Sequence, residues 1–392
     1  MLEHAIWWQV YPLGACGAPV RGEHGDPEPR LRRLDAWLDY AVELGCNGLL
    51  LNPIFASASH GYDTLDHYRL DPRLGDEGDF GHLVEEARRR GMHVVLDGVF
   101  NHVSAQHSLV QARPDMIRWD GDRPKGWEGH GDLVELNHDH PEVRAMVADI
   151  MAHWLRLGAA GWRLDVAYAV PADFWRDVLG RVRQEFPAAL ILGEVIHGDY
   201  PRIVEAATFD TVTQYELWKG IWSSFVDLNA WELAHAVERH AQFSAAFVPN
   251  TFVGNHDVTR IASLVSPHQL PLTPYLLATL PGAPSVYYGD EQGFTGVKTD
   301  TLGGDDDVRP PLPASPADLS TLGAELHRHY QAAFALRRRN PWLATASVEV
   351  LDKSNEALAY RVSGAGEALE VRLDLSAGTL RVDGGGESLT VG

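Results

Sequence analysis

The segment "GWRLDVA" (161–167) sets Arg163 and Asp165 into an otherwise apolar run. In a strand, side chains alternate faces, so these two charges share one face while Trp162, Leu164 and Val166 share the other. A charge in such a place must be paired. Taken alone, the pair is equally well read as a structural ion pair at a strand end. Other apolar runs, however, end in the same way. "DGVFNH" ends with Asp97, Asn101 and His102, "ALILGEV" with Glu194, and "NTFVGNHD" with Asn255, His256 and Asp257, while "SHGYDTLDHY" carries His60, Tyr62 and Asp63. A lone strand-end aspartate is commonly a helix cap. Several carboxylates, an arginine and two histidines on one rim are not explained as caps.

Carboxylates gathered around a pocket suit glycosidic chemistry. One gives a proton to the leaving oxygen and another meets the opposite face of the sugar. Asp165 and Glu194 fall on adjacent strands, compatible with the short separation of a retaining pair. Arg163 would keep Asp165 ionised. The mostly apolar strand around Glu194 would favour its protonated form, which suits a general acid. Asp257 would be a third group, gripping sugar hydroxyls as the ring flattens.

The elements that must position these residues repeat along the chain. Apolar strand candidates near residues 5, 47, 93, 161, 189, 208, 247 and 284 alternate with amphipathic helix candidates such as "EPRLRRLDAWLDYAVELG". Near-continuous apolar strands fit a parallel sheet covered on both faces. The pattern predicts an α/β (β/α)8 barrel over residues 1–340, with active residues at the C-terminal strand ends. A doubly wound open sheet would compete, but no glycine-rich phosphate loop follows the first strand. Residues 103–139, after the third strand, read as a long irregular insertion, and such loops are usually functional. Residues 341–392 change to period-2 runs ("SVEVLDK", "ALAYRVSG", "ALEVRLDLS", "TLRVDGG", "SLTV") and predict a small antiparallel, sandwich-like β domain.

The chain has 392 residues and a net charge of −21. That balance disfavours nucleic acid and anionic membranes as partners. Two cysteines, Cys16 and Cys46, are too few for a disulfide framework or a zinc site. No leader and no apolar run long enough to span a bilayer is visible, which predicts a cytoplasmic protein.

These motifs together resemble the α-amylase family, glycoside hydrolase family 13. Its conserved regions are matched by "DGVFNHV" (97–103), "GWRLDVAYA" (161–169), "GEVI" (193–196) and "FVGNHD" (252–257). "HGYDTLDHYRLDPRLG" (60–75) and "PGAPSVYYGDE" (281–291) match two further segments, in family order from about residue 5 to 340. The resemblance implies that Asp165 is the nucleophile, Glu194 the general acid/base and Asp257 the transition-state stabiliser. It also implies that Tyr62, His102, Arg163 and His256 line the subsite for the attacked sugar, with Asp63 and Asp97 supporting them.

"NPIF", "SHGYDT" and "GEVIHG" look most like the cyclomaltodextrinase, neopullulanase and maltogenic amylase group. That implies hydrolysis of short or cyclic malto-oligosaccharides. Transglycosylation through the same carboxylates is the first alternative; an α-glucosidase, a glucoside isomerase and a non-catalytic carbohydrate-binding barrel follow. No counterpart of the group's N-terminal β domain is expected, and the insertion is shorter than is usual in the group. A trimmed insertion would leave the cleft more open or recruit a partner to close it, and a homo-oligomer is one expectation. No cofactor is required by this chemistry. Calcium is the family's optional metal, through Asn101, but Asp120, Asp122, Asp132 and Glu135 form no recognisable ligand pattern. Trp119, Trp127, Trp218 and Trp222 are candidates for stacking on sugars or for core.

Overall fold

The computed structural model describes residues 1–21, 27–301 and 303–392. Eight parallel strands are present: β1 (Trp7–Val10), β2 (Gly48–Leu51), β3 (His93–Gly98), β4 (Gly161–Leu164), β5 (Leu190–Gly193), β6 (Thr211–Val212), β7 (Asn250–Thr251) and β8 (Ala283–Tyr287). They lie in the order β6-β5-β4-β3-β2-β1-β8-β7. A parallel bridge between Thr213 and Asn250 closes the ring. Helices α1 (Asp35–Leu44), α2 (Glu77–Arg89), α3 (Pro141–Arg156), α4 (Ala172–Glu185) and α5 (Tyr200–Ala207) follow β1 to β5 in turn. After β6 come α6 (Tyr215–Asp227) and α7 (Ala230–Ser244), then α8 (Thr273–Thr279) after β7 and α9 (Ala324–Arg339) after β8. This is the (β/α)8 barrel that the sequence predicts.

The helices form where the apolar period and the end signals agree. In α1, Trp37, Leu38, Ala41 and Leu44 are buried, and Gly45 at φ +101° takes the left-handed C-terminal position that favours glycine. Asp76 starts α2 by accepting from the Gly78 and Asp79 amides, while Asp79 reaches back. The strands expected near 208 and 247 are only two residues long. In β7 the ladder starts after Pro249, which has no N–H to give it. The Asn250 side chain compensates, its Nδ2 donating to the Ala283 carbonyl at 3.0 Å and Ser285 Oγ at 2.7 Å.

Strand register stacks the inward residues in layers. Trp7, Leu50, Val95, Leu190 and Ala283 form an apolar plug in the barrel. One layer nearer the C-terminal ends, Arg163 is in register with Asp97 on β3 and Leu192 on β5. Asp165 and Glu194 come one layer further up, their amides donating to the Gly98 and Leu164 carbonyls. Two-residue periodicity therefore changes the lining from apolar to charged as it approaches the rim.

The insertion after β3 is more ordered than its composition suggests. A strand at His130–Glu135 pairs antiparallel with His102–Ser104 and with Gly126–Trp127. After β2, Phe55–Ser57 and Thr64–Leu70 form a second antiparallel pair. Beyond the barrel, the period-2 runs become β9 (Ser347–Lys353), β10 (Ala357–Gly364), β11 (Glu367–Asp374), β12 (Thr379–Gly384) and β13 (Glu387–Val391), one antiparallel sheet in chain order. Leu358, Tyr360 and Val362 of β10 point to its buried side. Tyr360 is tied to Thr279 at the end of α8 by a 2.7 Å hydrogen bond. No helix among the described residues is long and apolar enough to cross a membrane.

Candidate active site

Arg163 is the hub of the rim. Its Nη1 lies 2.8 Å from both oxygens of Asp97 and 2.8 Å from Asp165 Oδ1, while Nη2 lies 2.7 Å from Glu194 Oε1. One guanidinium thus joins carboxylates from three consecutive strands, all nearly sealed from solvent. The strand alternation that puts Arg163 and Asp165 on one face is what allows this contact. Burial pushes the Asp165 carboxyl well above the usual carboxylate range, and Arg163 opposes that push.

Glu194 is held from several sides. Its Oε2 accepts the Val166 amide at 2.8 Å, and its Oε1 accepts the Tyr215 hydroxyl at 3.3 Å. Tyr215, at the start of α6, in turn accepts from Asn255 Nδ2 at 2.8 Å. Val166 takes a left-handed conformation, φ 47° and ψ 36°. That is costly for a β-branched residue, and it occurs directly after Asp165. The turn aims the Val166 N–H at Glu194. The surroundings expected for Glu194 are corrected here: the strand is apolar, but the carboxylate itself faces an arginine, an amide and a phenol.

Asp257 is the most open of the carboxylates, with 30% of its side chain exposed. Its Oδ2 lies 2.8 Å from His256 Nε2, and its Oδ1 accepts from Arg309 Nη2 at 2.9 Å. Burial of the group works against ionisation, but His256, Arg309 and Arg163 outweigh it and hold the carboxyl well below the usual range. The Tyr62 ring lies parallel to His256 at 5.5 Å, and its hydroxyl donates to Asp97 Oδ2 at 2.9 Å. Burial, reinforced by Asp97, raises the Tyr62 hydroxyl well above its ordinary range, so it stays a proton-bearing donor. His102 contacts the Tyr62 carbonyl at 3.1 Å, and burial pushes its imidazole down to about 4, leaving it neutral near pH 7.

Asp63 is the predicted residue that the structure does not bring into this cluster. Its oxygens accept from the Ser59 amide and hydroxyl, at 3.1 and 2.6 Å, and so shape the loop after β2 that carries Tyr62.

Besides Tyr215, three contributors escaped the sequence reading. Asn52 donates to Asp97 Oδ2 at 3.1 Å and to the Tyr62 hydroxyl at 2.9 Å. Gln9 lies 3.0 Å from His256 Nδ1 and 3.3 Å from Asn52 Oδ1. Both are polar residues ending apolar strands, the signal that singled out Arg163. Arg309 lies in the acidic run "GGDDDVRPP", which could contact a sugar one unit away but reads more simply as a solvated loop. Instead its side chain is only 8% exposed, and besides reaching Asp257 its Nε donates to the His256 carbonyl at 3.0 Å.

The residues considered for calcium have other partners or stand apart. The Asn101 side chain turns to His102, with Nδ2 3.2 Å from Nδ1. Glu135 is occupied by Lys125 Nζ at 2.9 Å, and Asp120, Asp122 and Asp132 are exposed. No three acidic, histidine or cysteine side chains converge as metal ligands among the described residues. Of the tryptophans, Trp127 lies 6.3 Å from the His102 ring and nearly parallel to it. Trp119 is exposed on the insertion, while Trp218 packs on Tyr215 and Trp222 on Trp218.

Comparison with known proteins agrees with this geometry. The family model described as "Alpha amylase, catalytic domain" matches residues 30–120 and 119–348. A cyclomaltodextrinase of Geobacillus thermopakistaniensis is 28% identical over 96% of this chain and 69% of its own length. The intracellular maltogenic amylase of Bacillus subtilis is 32% identical over 75% of this chain and 56% of its own. Among solved structures, the cyclic α-maltosyl-(1→6)-maltose hydrolase of Arthrobacter globiformis superposes with a TM-score of 0.82 at 26% identity, over 99% of this chain and 98% of that one. The chain belongs to the α-amylase family of glycoside hydrolases, in likeness to its cyclomaltodextrinase and maltogenic amylase members.

Proposed function

We propose that the chain cleaves α-glucosidic bonds in short or cyclic malto-oligosaccharides, with net retention at the anomeric carbon. The observation that supports this most is the meeting of Asp165 and Glu194 on the two terminal nitrogens of Arg163. In this reading Asp165 attacks the anomeric carbon and forms a glycosyl ester while Glu194 gives its proton to the leaving oxygen. Glu194 then takes a proton from water, which attacks the ester from the vacated side and frees Asp165. Arg163 favours the ionised, nucleophilic form of Asp165 against its burial. Asp257, ionised and open to the cleft, accepts hydroxyl protons of a sugar whose ring flattens as positive charge develops. Asp97, Tyr62, His102 and His256 hold that sugar and one another.

The preference for short or cyclic substrates rests on the named relatives, one of which is a hydrolase of a cyclic maltosyl-maltose. Work inside the cell is proposed on the same footing, from the relative named as intracellular. The test is turnover of linear, branched and cyclic maltodextrins with the first-formed anomer followed by NMR. The α-anomer is expected, and Asp165→Asn should lose at least about a thousandfold in kcat. A first-formed β-anomer, or undiminished turnover by Asp165→Asn, sinks the mechanism. Products longer than the substrate would reassign the same site to glycosyl transfer.

A further inference from the structure

The seven residues from Gly254 to Arg260 carry Asn255, His256 and Asp257, and both ends of this segment meet one buried carboxylate. Asp290, just past β8, is 1% exposed. At one end, a Cβ on Gly254 would stand 2.3 Å from Asp290 Oδ2, so the carboxylate packs directly on the segment's backbone. At the other end, Arg260 Nη1 lies 2.8 Å from Asp290 Oδ1. Arg260 is fully buried, with its guanidinium 4.4 Å from the centre of the Tyr287 ring and 5.3 Å from that of Tyr288.

Arg260 also passes the constraint on. Its Nη1 donates to the Tyr288 carbonyl at 2.8 Å and its Nη2 to the Val308 carbonyl at 2.9 Å. The Val308 carbonyl accepts a second bond, from the Tyr287 hydroxyl at 3.0 Å. Next in the chain is Arg309, which bonds the His256 carbonyl and Asp257 Oδ1. The path therefore runs from Asp290 to Arg260, to Val308, to Arg309 and back to Asp257. Each step is a hydrogen bond, an ion pair or a peptide link, and the whole spans two loops of the rim.

We infer that Asp290 and Arg260 are a positioning pair that sets the direction of the Asp257 carboxylate by fixing Gly254 at one end of its loop and, through Val308, Arg309 at the other. The inference rests on Asp257 acting as the transition-state stabiliser. A residue that acts only in the transition state affects kcat more than KM when it is misplaced, because bound substrate loses less than the activated sugar. A ~1 Å displacement is enough to cost about a hundredfold.

The test is a double-mutant cycle on purified enzyme with a malto-oligosaccharide and an α-maltosyl fluoride. Asp290→Asn and Arg260→Lys are made in the parent and in Arg309→Gln. In the parent, each should lower kcat by about 10- to 100-fold with KM changed less than about threefold. In Arg309→Gln, each change should cost less than it does in the parent, because the route through Val308 is already cut while the contact at Gly254 remains. Losses that multiply in the double variants, or a parent kcat unchanged in folded Arg260→Lys, overturn the inference. Arg260→Lys keeps a buried cation, so the cycle survives if Asp290→Asn does not fold. A crystal structure of Arg260→Lys reads the same point without turnover: an Asp257 carboxylate unmoved against His256 overturns it. A parent enzyme inactive on every α-glucoside would instead refute the proposed function, leaving the crystallographic arm to decide the positioning.

Discussion

Arg163 and Glu194 meet at 2.7 Å, Nη2 to Oε1, while the other terminal nitrogen of the same guanidinium holds Asp165 and Asp97 at 2.8 Å. Arginine can do this because its planar fork offers several donors in fixed directions, where an ammonium is a single point.

Arg163→Lys should therefore retain the charge and lose the arrangement. We expect kcat/KM to fall by about a hundred- to a thousandfold, with a lower unfolding temperature because three buried carboxylates keep only part of their partner. Steady-state kinetics beside calorimetry would check this. A variant within a few-fold of the parent would mean that the carboxylates are aligned by their strands alone.

Removing the proposed proton donor should make the rate depend on the leaving group. For Glu194→Ala, cleavage of malto-oligosaccharides should fall by at least about a thousandfold. An aryl α-maltoside with a strongly acidic phenol needs no proton in the first step and should lose far less. Equal losses on both substrates would take the general-acid role away from Glu194.

Glu291 gives a pH dependence to stability rather than to chemistry. It is fully buried between Tyr40, which donates to Oε1, and the Gly289 amide, which donates to Oε2, both at 2.9 Å. Burial pushes its carboxyl up to about 7. Since that lies above the unfolded value near 4.5, the neutral form's contribution is complete below about pH 4.5 and is lost as the pH rises through 7. Glu291→Gln, which cannot ionise, should gain about 1–3 kcal/mol on the parent between pH 5 and 8. Thermal melts of both proteins across that range would show the difference widening with pH, and a pH-independent difference would contradict it.

Metal removal should leave the protein as it was. Lys125 already neutralises Glu135 at 2.9 Å, and Asn101 is engaged by His102. Melting temperature and kcat should be the same after chelation and after addition of millimolar calcium. A calcium-dependent rise of several degrees would show a site built from groups other than these.

The sequence alone determined the barrel, the five-stranded sheet and the presence of Arg163, Asp165, Glu194 and Asp257 on one rim. Each follows from a local period: about 3.6 for the helices, and two for the strands, which delivers Arg163 and Asp165 to the same face. Tertiary structure alone decided what those groups touch. Glu194 lies in an apolar strand, yet it meets Arg163, Val166 and Tyr215, because β4 and the start of α6 flank β5 in space. Asp63 sits one residue from Tyr62 and still turns back onto its own loop, at Ser59 and His60. Arg309 lies 52 residues from Asp257 in a run that reads as solvated, yet the direct pairing of β7 with β8 brings the loops after them together. Hydrophobic period reports which way a side chain points, and it carries no information on which distant loop will meet it there.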